Sequence, residues 1–276
     1  MNKLDRLGWV AGFSFDAYGT RIGVRTNNAA ILEELRMRLP IGWKQVTDNR
    51  VETIYSLKVG GAGSRPGLKQ YHLLYNNITR LTRTFDLDMA LDTFENSIQL
   101  LVAEMASNRV FVHAGVIAWQ GKAIMIPGRS MSGKSSLVRA FLKEGATYYS
   151  DEYALIDKKG RVHPYLLPIS VGRKIGERQA RVPATGIGAT QGKKPLPVGL
   201  VLVTNYSKGA HWRPKQIPAG QGLLSILANT VSAQRNPAKA LATLQQVVLK
   251  APVLKGVRGE TDEVVDALLN RPWPTL

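Results

Sequence analysis

Apolar and polar positions alternate between residues 9 and 25. Phe13 and Phe15 lie on one side of a polar turn at Asp16 to Gly19, and Ile22 and Val24 lie on the other. A period of two around turn residues predicts a β-hairpin. Asn27 and Asn28 then offer a helix cap, followed by Ile31, Leu32, Leu35 and Leu39 on one side and a stop at Pro40 and Gly42. Strands are predicted over 51–59, 71–75 and 78–85, with a glycine-rich loop at 60–67 between the first two. Residues 1–85 therefore read as a mixed, mostly antiparallel α+β unit. From 87 to 105 the period changes: Met89, Phe94, Ile98, Leu101 and Val102 recur at helical spacing, and they and Met105 are expected in a core. This helix closes an N-terminal unit of residues 1–107.

Residues 108–276 form the second predicted domain. Apolar strands at 110–119 and 122–126 flank a tight Gln120-Gly121 turn. Leu137, Val138, Ala140, Phe141 and Leu142 make a helical pattern, and short strands follow at 148–150, 153–156 and 162–166. Residues 168–197 are rich in Pro, Gly, Arg and Lys, lack periodicity, and read as a long loop. A buried strand at 198–203, helices at 219–231 and 237–249, a strand at 253–257 and a helix at 260–269 complete the chain.

One segment carries specific chemistry. Gly128, Arg129, Ser130, Met131, Ser132, Gly133, Lys134 and Ser135 match G-x-x-x-x-G-K-[ST], with Ser136 next. The match falls between a predicted strand and a predicted helix, which is the context a phosphate-binding loop needs. Glycines let backbone N–H groups converge on phosphate, and the helix N-terminus adds partial positive charge. Lys134 is expected on the β- and γ-phosphates of a nucleoside triphosphate and Ser135 on Mg²⁺. The adjacent carboxylates Asp151 and Glu152 are placed at the end of the strand neighbouring the loop. On an extended chain the two side chains point opposite ways and take different jobs.

Three segments together, Val112-His113-Ala114-Gly115-Val116, Gly128 to Ser136, and Ser150-Asp151-Glu152-Tyr153, resemble the catalytic domain of HPr kinase/phosphorylase and the wider HPr-kinase-like serine kinases. The resemblance spans residues 108–170. It implies a P-loop kinase domain akin to phosphoenolpyruvate carboxykinase, an α/β to α+β fold, and ATP-dependent phosphorylation of a hydroxyl, usually serine in a protein or peptide. It also implies Asp151 as general base, His113 near the transferred phosphate, and Glu152 in place of a second Asp that helps hold Mg²⁺. The family's Glu-Val-Arg-Gly segment is absent. Val171 to Arg178 stands there instead, so the resemblance leaves phosphorolysis and HPr as substrate open. The chain looks closer to divergent members, some of which modify ribosomal peptides such as lasso peptides. Arg173 and Lys174 are candidate phosphate clamps.

Composition narrows the partners. The formal net charge is +17, and from Lys158 to Lys215 twelve Lys/Arg face one acidic residue, Glu177. Such a surface attracts an anionic substrate, here an acidic or serine-bearing protein or peptide. Few aromatics interleave with the cations, which disfavours a nucleic-acid partner. With no cysteine, disulfides and thiolate metal sites are excluded. No apolar leader and no run of about 18 apolar residues is seen, so a cytoplasmic chain without membrane insertion is expected. Homo-oligomerisation stays open. Two other functions compete with a serine kinase: a nucleotide-binding regulatory or assembly module without transferase activity, and a kinase of a nucleotide, nucleic-acid or small-molecule hydroxyl.

Overall fold

A computed structural model describes residues 3–48, 50–61, 70–129, 132–171 and 180–274. The chain divides into two units, Met1–Ser107 and Asn108–Leu276. In the first, β1 (Ala11–Ala17) and β2 (Thr20–Thr26) pair antiparallel across Tyr18 and Gly19, whose φ angles are 54° and 84°. Positive φ at both positions gives the mirror-image turn that suits a two-residue hairpin. After α1 (Leu32–Met37) come β3 (Lys44–Val46), β4 (Thr53–Lys58), β5 (His72–Asn76), β6 (Thr79–Thr84) and α2 (Leu87–Met105). The sheet runs β3-β1-β2-β4-β5-β6 and is antiparallel except for β2–β4. The helix expected from the Asn27-Asn28 cap is shorter than its apolar pattern: a 3₁₀ turn over Ala29–Ile31 precedes six α-helical residues. β3 was not anticipated, because Lys44 and Gln45 are exposed and leave no alternation to read.

Asp86 starts α2, its carboxylate accepting the N–H groups of Asp88 and Met89 at 2.9 and 3.3 Å. The buried stripe is Ala90, Leu91, Phe94, Ile98 and Val102. Phe94 meets Tyr55 edge-on at 5.5 Å, and the Tyr55 hydroxyl pairs with Ser97 at 2.8 Å. Met89 is corrected: it is 51% exposed, one position off the stripe.

The second unit is layered. β7 (Val110–Trp119) and β8 (Lys122–Pro127) form a hairpin over Gln120 and Gly121, again with positive φ at both, 49° and 77°. Then follow α3 (Lys134–Lys143), β9 (Thr147–Ser150), β10 (Tyr153–Ile156), β11 (Arg161–His163), β12 (Ile169–Val171), β13 (Ala180–Val182) and β14 (Leu196–Tyr206). β15 (Lys215–Ile217), α4 (Ala219–Leu227), α5 (Pro237–Val248), β16 (Val253–Arg258) and α6 (Thr261–Leu269) end the chain. The main sheet runs β11-β10-β7-β8-β14-β16-β15, with β8, β14 and β16 parallel to one another. β11 also pairs with β14, so β11, β10, β7, β8 and β14 close into a ring.

Strand alternation sorts the two faces. Ile117, Ile124, Ile126, Leu200 and Leu202 pack with Leu137, Val138, Phe141, Val264 and Leu268 of α3 and α6. Val116, Met125 and Val201, one step away, pack with Ile226, Leu244, Val247 and Val248 of α4 and α5. Strands covered on both faces read as continuous apolar runs, as these do.

Residues 172–179 of the long loop expected over 168–197 lie outside the described residues, and the described part of it is corrected. β12 and β13 pair antiparallel, a 3₁₀ turn spans Ala184–Ile187, and Ile169, Ala184 and Ala189 are buried. Three-residue strands are too short to show a period. Helix α4 stops at Leu227 rather than 231, and a separate 3₁₀ turn covers Val231–Ala233. No helix among the described residues is long and apolar enough to cross a membrane.

Candidate active site

One peptide group brings the three motif segments together. The carbonyl of His113 on β7 accepts the N–H of Gly128 at 3.0 Å, and the N–H of Ala114 donates to the carbonyl of Glu152 at 3.2 Å. The loop that leaves β8 and the acidic turn that leaves β9 are thus fastened to the same point of β7. The expected neighbour relation is corrected: β9 pairs with β7 rather than with β8, so one strand separates Asp151 from the loop's strand. The antiparallel β7 between them keeps β8 and β9 pointing the same way, and their ends still meet.

Small residues make the loop fit. A Cβ on Gly128 would lie 2.6 Å from Ser132 Oγ and 3.5 Å from Lys134 Cδ. Gly133 sits at φ 86°, in the left-handed region, and caps α3 without a side chain. Ser132 N–H and Lys134 Nζ both donate to the Arg129 carbonyl, at 3.2 and 2.8 Å. The lysine ammonium is therefore held over its own loop. Burial pulls the Lys134 ammonium below its ordinary pKa, against the pull of Glu152 and Asp151.

The acidic turn is shaped by Ser150, whose Oγ accepts the N–H groups of Glu152 and Tyr153 at 3.3 and 3.1 Å. Asp151 lies inward, 9% exposed, and Glu152 is exposed. Burial raises the Asp151 carboxyl to about 6, opposed by a hydrogen bond from Ser135 and by the charge of Lys134. His113 is drawn below its ordinary pKa by burial and by Lys134, with Glu152 acting the other way. Its ring lies 4.7 Å from that of Tyr153, its partner across the sheet. A cleft of about 380 Å³ opens beside it, lined by His113, Arg129, Ala228, Asn229 and Thr230.

Arg258 was missed by sequence reasoning. It ends β16, is 2% exposed, and donates to the Gly133 carbonyl at 3.0 Å and to the Gly259 carbonyl at 2.9 Å. The available signal was its position: ligands of open α/β sheets gather at the carboxyl ends of parallel strands, and β8, β14 and β16 end together here.

Gly128, Arg129, Ser132, Gly133, Lys134, Ser135, Asp151, Glu152 and His113 are thus gathered around one loop, with Ser136 exposed on the first turn of α3. Ser130, Met131, Arg173 and Lys174 lie outside the described residues. Among those described, Ser132 Oγ, Asp151 Oδ1 and Arg258 Nε are buried without a hydrogen-bond partner. Orphaned donors and acceptors beside a helix N-terminus fit a ligand that carries negative charge together with a cation or hydroxyl. Among the described residues no three His, Cys, Asp or Glu side chains gather into a metal site. Magnesium needs no such cage: one or two carboxylates, a hydroxyl and phosphate oxygens suffice.

No family model and no curated protein matches the chain. Among solved structures it is similar to the Hpr(Ser) kinase/phosphatase from Coxiella burnetii, at 15% identity and a TM-score of 0.33, over 58% of this chain and 93% of that one. A likeness that distant has no bearing on activity.

Proposed function

We propose that the chain is an ATP-dependent phosphotransferase acting on a hydroxyl, with a serine of a protein or peptide as the favoured acceptor. The observation that carries it is the meeting of Lys134 and Ser135 with the buried Asp151, bonded to Ser135 and poised at a pKa of about 6. Phosphoryl transfer asks a protein mainly for alignment and for charge around the phosphoryl oxygens. Lys134 exchanges its Arg129 carbonyl for phosphate oxygens, and the backbone N–H groups of the loop surround them. Asp151 accepts the acceptor hydroxyl's proton at Oδ1, the oxygen without a partner among the described residues. The hydroxyl oxygen forms the new bond to phosphorus as the bond to the nucleoside diphosphate breaks. A base is most effective when its pKa lies near the working pH, and burial brings Asp151 toward that range. The His113 cleft is where the acceptor side chain enters, with neutral imidazole on one wall and Arg129 available to an acidic residue beside the acceptor. Bound Mg²⁺ would neutralise phosphate charge, and Ser135 and the acidic pair fit it as donors.

A second role for Asp151 is favoured by its hydrogen bond to Ser135: ligand of the divalent cation rather than base. The two separate in Asp151→Asn. Loss of turnover with Mg²⁺-dependent nucleotide binding intact identifies the base, and loss of the Mg²⁺ dependence identifies the ligand. The function itself is tested with γ-labelled ATP and a lysate of the source organism, labelled species being identified by mass spectrometry. Label on a serine of a protein or peptide supports it. Label confined to nucleotide replaces it with a nucleotide-binding module that transfers nothing.

A further inference from the structure

Among the described residues Arg258 is a buried cation with no carboxylate in hydrogen-bond contact. Its two hydrogen bonds go to the carbonyls of Gly133 and Gly259, its Nε has none, and its guanidinium lies over the Tyr206 ring at 5.5 Å. Tyr206 in turn donates to Glu260 at 3.1 Å. Burial pulls the guanidinium below its ordinary pKa, and Glu260 attracts it only through its charge. A buried charge without a directly bonded carboxylate opposes folding, and replacing such a group by an apolar one of similar volume is commonly neutral or stabilising. A residue of this kind needs a reason outside the stability of the empty protein.

The contact with Gly133 supplies one. The Gly133 carbonyl and the Lys134 N–H belong to one trans peptide plane and point in opposite directions. That carbonyl accepts Arg258 Nη2 at 3.0 Å and the N–H of Leu137 at 3.2 Å, which turns the Lys134 N–H away from the helix, toward the loop. The fit is tight: a Cβ on Gly133 would lie 2.4 Å from Arg258 Nη2. From the end of β16 Arg258 thus fixes the first helical peptide and places a full positive charge behind it.

We infer that Arg258 is the positioning cation of the phosphate loop, and that its charge makes the loop prefer a nucleoside triphosphate to a diphosphate. This rests on the nucleotide-binding reading above. Removing a charged hydrogen-bonding group from such a contact weakens binding by about tenfold or more. A fixed positive charge attracts the ligand with more negative charge more strongly, so the loss falls mainly on ATP.

The test is isothermal titration of Mg-ATP and Mg-ADP into the wild-type chain, Arg258→Met and Lys134→Ala, with melting curves of each without nucleotide. The expected result is ATP affinity lowered about tenfold in Arg258→Met, ADP affinity lowered less, and an unliganded melting temperature at or above that of wild type. Equal losses for ATP and ADP, or unchanged affinities, overturn the inference. If Arg258→Met fails to fold, Arg258→Gln is judged by the same ratio, because it removes the charge and keeps a polar, shorter side chain at the end of β16. Wild type that binds neither nucleotide overturns the proposed function as well. Where wild type binds both and Lys134→Ala binds them about 10- to 100-fold more weakly, the nucleotide-binding reading stands, and the ATP-to-ADP ratio in Arg258→Met reports on Arg258 alone.

Discussion

Gly115 of β7 lies directly beneath Val138 of α3, so that a Cβ there would stand 2.6 Å from Val138 Cγ2. The missing side chain lets the helix that carries Lys134 and Ser135 settle onto the sheet, beside the peptide that fastens Gly128 and Glu152. Gly115→Ala must push α3 outward or force Val138 from its rotamer. Overpacking of this kind costs roughly 1–3 kcal/mol. Denaturant unfolding is expected to show that loss, accompanied by weaker nucleotide binding because the helix N-terminus moves. Val138→Ala in the same chain removes the colliding methyl groups, so the double variant should regain part of the stability lost by Gly115→Ala. Strict additivity of the two changes would mean that they do not meet.

Asp151 gives a pH dependence whose sign is fixed. Its carboxyl titrates at about 6 in the folded chain against 3.8 without the fold. The folded state therefore holds the proton more tightly, and stability falls as pH rises from about 4 to about 6. Above that range the buried charge costs up to about 3 kcal/mol. Asp151→Asn removes the cost. The variant should be more stable than wild type at pH 8, the two should converge near pH 4, and turnover should be lost. For wild type, kcat/KM is expected to rise with unit slope through about pH 6. A stability difference that does not change with pH would mean the carboxyl is not buried in solution.

The sequence made the loop legible and left its surroundings partly hidden, for a physical reason. Gly128 to Ser135 is local: the spacing of two glycines, a lysine and a serine is itself the geometry. Asp151 was legible as a carboxylate at a strand end, but pairing between strands is nonlocal, and β7 intervenes where direct adjacency was expected. Arg258 was invisible because its neighbour Gly133 is 125 residues away and is reached only through the β14–β16 and β8–β14 pairings. β3, β12, β13 and β15 have three residues each, fewer than alternation needs to declare itself. Met89 fits a helical period by count, yet the true stripe is centred on Phe94 and Ile98, which pack inward.

Asp157 behaves oppositely to Asp151. Burial would raise its carboxyl, but His163 Nε2 at 3.0 Å, Arg161 Nε at 3.0 Å and the N–H groups of Arg161 and Lys159 at 3.1 and 2.9 Å hold it well below the usual carboxylate range. These bonds set the turn between β10 and β11, where the ring of strands closes. The depressed pKa contributes stability that is present above the unfolded value near 4 and is lost as pH falls below it. Asp157→Asn is expected to cost roughly 2–3 kcal/mol at pH 7, with the deficit shrinking below pH 3. Unfolding midpoints at the two pH values check it, and an equal deficit at both would assign the loss to shape rather than charge.

Lys134 offers the sharpest separation of binding from folding. Its ammonium contacts the Arg129 carbonyl at 2.8 Å, and burial lowers its pKa. Its charge is thus partly desolvated, and a carbonyl is a poorer partner for it than a phosphate oxygen. Lys134→Ala should lower nucleotide affinity about 10- to 100-fold, the range for losing a charged hydrogen bond to phosphate. The unliganded melting temperature should change little, because the bond given up goes to a single loop carbonyl. Titration calorimetry and a melting curve on the same preparation decide the point. A large fall in melting temperature with nucleotide affinity preserved would make Lys134 a brace of the loop, and the charge that meets the phosphates would have to come from elsewhere.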